Sequence, residues 1–257
     1  MTATTMTRIP AHERAVSPGI PFARLVRVEW GKATDTRAAR WLLTAAAVST
    51  AALMLVPLLA SATEPQTFTT YLFHAGIGLS ILLPVVSILT MTSEWTQRTV
   101  LTTFTQEPRR LRVIAAKVLV SLLLAAGGIA FGAVVTVASL TIASASGRVL
   151  TPDIGAATVA GFIVYVVLQV LTGVAIGALL HHSAAAITLS FVLPTAFAVV
   201  GHAWSGIAHW LDASTTFGWV LHGEWTGHTP QILLSVLVWV AAPLAAGLVR
   251  TVRREIT

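Results

Sequence analysis

An all-α polytopic membrane protein is the fold class the sequence predicts, and three observations predict it. Of 257 residues, 55% are apolar and only 10% are charged, against roughly 25% charged in an ordinary soluble domain. Mean hydropathy is +0.81. The apolar residues gather into six runs with the basic residues between them, each run near or above the about 20 residues that carry a helix across a bilayer core. The chain has no cysteine, so it has no disulfide framework, cysteine metal site or thiol redox motif. Its net charge of +6 is no nucleic-acid footprint, because anionic headgroups and the positive-inside bias account for basic residues placed beside apolar runs.

Residues 1–21 hold Pro10, Pro18, Gly19 and Pro21 among scattered charges. They lack the apolar core and small-residue cleavage site of a signal peptide and read as a mostly disordered cytoplasmic lead-in. Residues 22–40 predict an amphipathic helix lying along the inner membrane surface. Phe22, Val26, Trp30 and Ala33 fall on one side, and Arg24, Arg27 and Asp35 lie opposite. Val28 and Glu29 interrupt the apolar stripe.

The first span is expected over residues 41–62, with Trp41 as an interfacial anchor. A short outer turn at Glu64-Pro65-Gln66 leads into the second, over 68–91, where Pro84 removes one helix donor. The third, over 113–145, is longer than a bilayer requires. Its Lys117 is expected to snorkel towards the inner headgroups, and Gly127, Gly128 and Gly132 permit close helix contact. The fourth covers 154–180, with Gly173 and Gly177 in GxxxG spacing, and His181-His182-Ser183 reads as a tight inner turn. The fifth covers 184–200. Residues 201–230 carry Trp204, Trp210, Trp219 and Trp225 among five glycines and no Lys or Arg. They predict two short helices dipping into the outer leaflet, with tryptophans at headgroup level. The sixth span covers 231–249, and residues 251–257 form the inner tail.

Seven Lys or Arg precede the first span, five lie between Thr92 and Lys117, and three close the chain, while only Arg148 falls on the other side. That bias puts both termini in the cytoplasm.

The polar stretch after the second span, residues 92–112, is rich in threonine and arginine. Ser93 and Glu94 are expected to open a new helix, where a hydroxyl cap and an acid suit the positive dipole end. Val100, Leu101 and Phe104 then share one face at helical spacing, and Pro108 stops the helix. The expectation is a short cytoplasmic helix that offers an apolar face to another protein.

No GxxxxGK[ST], HExxH or GxSxG motif occurs. The spans carry almost no ionisable side chain beyond His74 and, at the inner edge, Lys117, so no buried relay of the kind ion-driven pumps use is visible. No cofactor or metal is expected on this chain. The outer residues His202, His209, His222, His228, Asp212 and Glu224 match no ligand spacing and read as interfacial polar groups.

Residues Ser93-Glu94-Trp95, Arg98-Thr99, Pro108-Arg109-Arg110-Leu111-Arg112-Val113 and Ala116-Lys117 resemble the segment after the second span of type-2 ABC-transporter permeases. Arg27-Val28-Glu29-Trp30-Gly31-Lys32, followed by Arg37 to Trp41, resembles the approach to that family's first span. The resemblance implies the permease subunit of a bacterial exporter in the cytoplasmic membrane, paired with a like or unlike second permease and driven by separate ATPase subunits that bind ATP and Mg. It implies ATPase coupling through Glu94, Arg98, Thr99, Val100, Leu101, Phe104, Pro108, Arg109 and Arg110. Phe22, Val26, Glu29, Trp30 and Lys32 belong to the implied interfacial helix, and His74, Trp204, Trp210 and Trp219 are expected on the path of a hydrophobic or amphipathic solute. The alternatives are a non-transporting membrane anchor or immunity protein, and a membrane-embedded enzyme.

Overall fold

The structure is a computed structural model that describes residues 20–60, 66–151, 153–203, 206 and 210–254. Nine helices cover them: α1 (Phe22–Thr34), α2 (Arg37–Leu59), α3 (Phe68–Thr96), α4 (Val100–Gln106), α5 (Arg110–Ala145), α6 (Ala156–Leu180), α7 (Ser183–Ala203), α8 (Ala213–His222) and α9 (Thr229–Arg253). Six of them, α2, α3, α5, α6, α7 and α9, are long and apolar enough to cross a membrane. By helix length and hydropathy this is a multi-pass membrane protein. The limits of these six helices lie within a few residues of the spans expected.

The bundle is built on α3 and α6. In their most apolar windows 61% and 56% of residues are buried, against 6% for α7, so α7 is an outer helix. The α3–α6 seam follows from the GxxxG spacing: a Cβ on Gly173 would stand 2.4 Å from the Pro84 carbonyl oxygen, and one on Gly177 would stand 3.0 Å from Met91 Cβ. Only glycine lets the two backbones approach so closely. Tyr71, Leu79, Phe162, Val166, Val170 and Phe217 fill the centre of the core around this seam.

Two expectations about the elements are corrected. The interfacial helix ends at Thr34, not at residue 40, because Thr36 accepts a hydrogen bond from Ala39 N (3.1 Å) and so caps a new helix, placing Arg37 and Arg40 in the first turn of α2. The second span runs on through Glu94 to Thr96, and Ser93 donates to the Thr90 carbonyl (3.3 Å) instead of capping a new helix. Within α9, Leu237–Ala241 form a π-helical turn.

At the end of the bundle away from the basic residues, Gln66–Thr67 pairs in parallel with Leu150–Thr151. Asp153 accepts from Thr69 N at 3.2 and 3.3 Å and so caps α3 from another loop. Burial would raise the Asp153 pKa, but hydrogen bonds from Thr69, Phe68 and Thr67 outweigh it and hold the carboxyl below its usual range. Between the fifth and sixth spans, α8 is one short helix. Asp212 caps it by accepting from Ser214 N (3.0 Å), and its Phe217, Val220 and Leu221 are buried in the main core. The rest of the expected helix pair falls partly on residues outside those described, Trp204 among them.

Candidate functional site

Four charged side chains meet where α1 crosses the basic ends of α3 and α5. Glu29 and Lys32 stand one turn apart on α1, and Lys32 Nζ lies 2.6 Å from Glu29 Oε1 and 3.0 Å from Glu94 Oε1. Lys117 Nζ, from α5, lies 2.6 Å from Glu29 Oε2 and 3.1 Å from Glu94 Oε2. Each carboxylate bridges both ammonium groups, and Lys117 also donates to the Thr90 carbonyl at 2.9 Å. Glu29 and Lys117 are 2% exposed and Glu94 is 5% exposed, so solvent screens the contacts of Lys117 little.

The arrangement answers a problem at each position. A carboxylate in the last turn of α3 opposes the helix dipole, and here two ammonium groups offset it. Burying one lone charge costs several kcal/mol, about what a close, fully hydrogen-bonded partner returns; two of each sign leave the knot neutral. Lys32 is its most accessible member. Burial alone would lower its pKa, but Glu94 and Glu29 outweigh that and hold it above its ordinary value.

This geometry overturns three sequence expectations. Lys117 does not snorkel to the headgroups; it turns inward to two carboxylates. Glu94 does not open the short helix; it closes the second span. Glu29 does not spoil the stripe of α1, because the buried stripe is Leu25, Glu29 and Ala33, with Phe22 and Trp30 at its exposed flanks and Val26 packed partly against Val86 and Val120.

The chain leaves α3 through a Schellman turn: Arg98 N donates to the Trp95 carbonyl (3.4 Å) and Thr99 N to that of Glu94 (2.9 Å). Arg98 has φ 57, a left-handed conformation usually left to glycine. Thr99 is the N-cap residue of α4. The expected common apolar face of α4 is divided. Val100 is buried, Phe104 is half-buried with the Arg110 guanidinium 5.2 Å from its ring centre, and Leu101 is 52% exposed. Pro108 and Arg109 are exposed. Glu107 is buried, 2.8 Å from Arg112 Nη1. A cavity of about 460 Å³ lies between α1 and α4 beside the knot, with Arg24, Lys32, Thr99, Thr102 and Gln106 in its walls.

Arg110 also turns inward, donating to the Thr251 and Arg254 carbonyls at the end of α9 (2.8 and 2.7 Å). Arg250 donates to the last carbonyl region of α6 at Leu179 (2.6 Å). Basic residues counted as topological signals are thus spent on helix C-termini, where cations suit the dipole. His181, at φ 54 in the tight turn after α6, stacks on Trp95 at 4.1 Å and shares a 2.8 Å hydrogen bond with Thr251. Burial, then Arg250 and Arg254, push its pKa from 6.5 down to about 4.

The residues expected on a solute path are not brought to the knot. His74 bonds the Thr70 carbonyl at 2.7 Å near the start of α3, and the 20 residues from there to Glu94 span about 30 Å as helix. Trp219 stacks on His228 at 4.0 Å, Trp210 is exposed, and Trp204 lies outside the described residues. Among the described residues no three His, Asp or Glu side chains group as a metal site. Sequence reading missed the pairing of Lys117. Its one signal was the presence of two acids and two lysines, all at the same end of the apolar runs. No protein-family model, curated protein or solved structure matches this chain.

Proposed function

We propose that the chain is the membrane subunit of an ATP-driven exporter of hydrophobic or amphipathic solutes, working beside a second permease subunit and recruiting separate ATPase subunits at its basic, cytoplasmic end. The observation that carries this reading is the knot. It bonds α1 and α5 to the end of α3, the most buried span, a few residues before α4 begins, so a push on the basic end moves the core of the bundle and is not absorbed by a loose tether. In this reading α4 is the docking element, with Leu101 and the edge of Phe104 as its apolar contact and Arg98 and Arg109 beside them. ATP and Mg stay on the partner.

The test is co-purification of the full chain with an ATPase encoded beside it, together with solute-stimulated ATP hydrolysis. Leu101→Asp should lower ATPase recovery at least about tenfold, the size expected for a charge forced into an apolar contact, with membrane insertion unchanged. Held below its lowered melting temperature, Lys117→Met should leave recovery largely intact and uncouple hydrolysis from transport. Full recovery and full export in both variants would remove the support for this reading.

A further inference from the structure

Three helix irregularities meet at one small cavity near mid-height of the bundle. Pro84 lies in the middle of α3, Pro194 in the middle of α7, and Trp239 within the π-helical turn of α9; all three line a cavity of about 60 Å³. Each proline withdraws the amide hydrogen that the carbonyl one turn back would accept. Those carbonyls belong to Ser80 and Ser190, and both residues line the same cavity.

The remaining polar groups of the wall are acceptors too. Ser80 gives its hydroxyl hydrogen to the Ile77 carbonyl (2.8 Å), Ser190 to that of Ile187 (2.7 Å) and Thr172 to that of Leu168 (2.9 Å). Gln169 commits an amide hydrogen to Tyr165 (3.0 Å), and Trp239 gives its indole N–H to the Leu211 carbonyl (2.8 Å). The residues of the wall thus offer two carbonyls that lose their usual amide donor, three hydroxyl oxygens whose hydrogens are already given and the Gln169 side-chain oxygen, against one amide hydrogen still to give. The aromatic side chains of Phe217 and Trp239 complete it.

From this imbalance we propose that the cavity binds the protonated amine of a lipophilic molecule. An ammonium group brings three hydrogens and no acceptor, the complement of this wall. The volume admits a group of that size and excludes a bulky head. The rim residues Ile81 and Phe191 are 41% and 48% exposed on the apolar flank of the bundle, so an amphiphile reaches the cavity from the hydrocarbon phase with its tail remaining there. The site stands without the exporter reading; if both hold, the cargo carries an amine.

The experiment uses the full chain in phosphatidylcholine nanodiscs, with empty nanodiscs subtracted, and measures calorimetric binding of n-hexylammonium, n-hexanol and n-hexyltrimethylammonium. The primary ammonium should bind about tenfold more tightly than the other two, the worth of one charge-assisted hydrogen bond. Gln169→Leu, and separately the isosteric Thr172→Val, should erase most of that preference. Equal binding of all three probes, or an unchanged preference in both variants, would overturn the proposal and mark the cavity as a water site. Neither outcome depends on an ATPase, so failure here and failure of the exporter reading are distinguishable.

Discussion

At the scale of single residues, Lys117 holds the basic end together. Lys117→Met leaves two buried carboxylates with one ammonium, and removing one partner of a buried pair costs about 3–5 kcal/mol. The variant should melt well below wild type in nanodiscs, and adding Glu29→Gln should recover most of the loss by restoring neutrality; equal melting of single and double variants would mean the charges are not coupled. His181 gives a second, pH-dependent readout. Its folded pKa is about 4 against an ordinary 6.5, so between those values the unfolded chain binds more protons than the native one. Stability should therefore rise with pH across that window and fall as the solution is acidified from 6.5 towards 4. His181→Asn should flatten this part of the profile, and an unchanged slope would assign it to other groups. None of this followed from residue types alone, because a lysine near a membrane edge snorkels or pairs according to what another helix sets against it.

At the scale of elements, the helices were legible from apolar run length, and the seam between α3 and α6 was legible in part. Gly173 and Gly177 stood out by spacing, yet their partner helix could not be read from it. Gly173→Ala puts a methyl 2.4 Å from the Pro84 carbonyl oxygen, so the helices must part. The expected cost is about 2–3 kcal/mol, in the range for overpacked contacts, measured as a drop in melting temperature, whereas Gly127→Ala, which would meet nothing within 4 Å, should be silent. The short helix α4 was also anticipated, but its start was displaced. Ser93 and Glu94 carry the local signature of an N-terminus, and α3 continues through them because Lys32 and Lys117 neutralise the acid from elsewhere.

At the scale of the whole molecule, the six apolar helices and the gathering of basic residues at one end set the expected topology. A reporter active only outside the cytoplasm should be active when fused at Asp153 or Gly223 and silent at Gln106; activity at Gln106 would overturn the assignment of the basic end to the inside. By itself the sequence determined what depends on local chemistry summed along a helix: the number of long apolar helices, their approximate limits, the polar break after the second, and the tight turn at His181. Only the tertiary structure decided which charges are buried, which of Val100, Leu101 and Phe104 faces outward, and which carbonyls the arginines cap. Those outcomes depend on groups as far apart in the chain as Glu29 and Lys117, or Arg110 and Thr251. Whether a charge inside a low-dielectric bundle is tolerable is settled by the sign and distance of its neighbour, and helix periodicity carries no record of that neighbour.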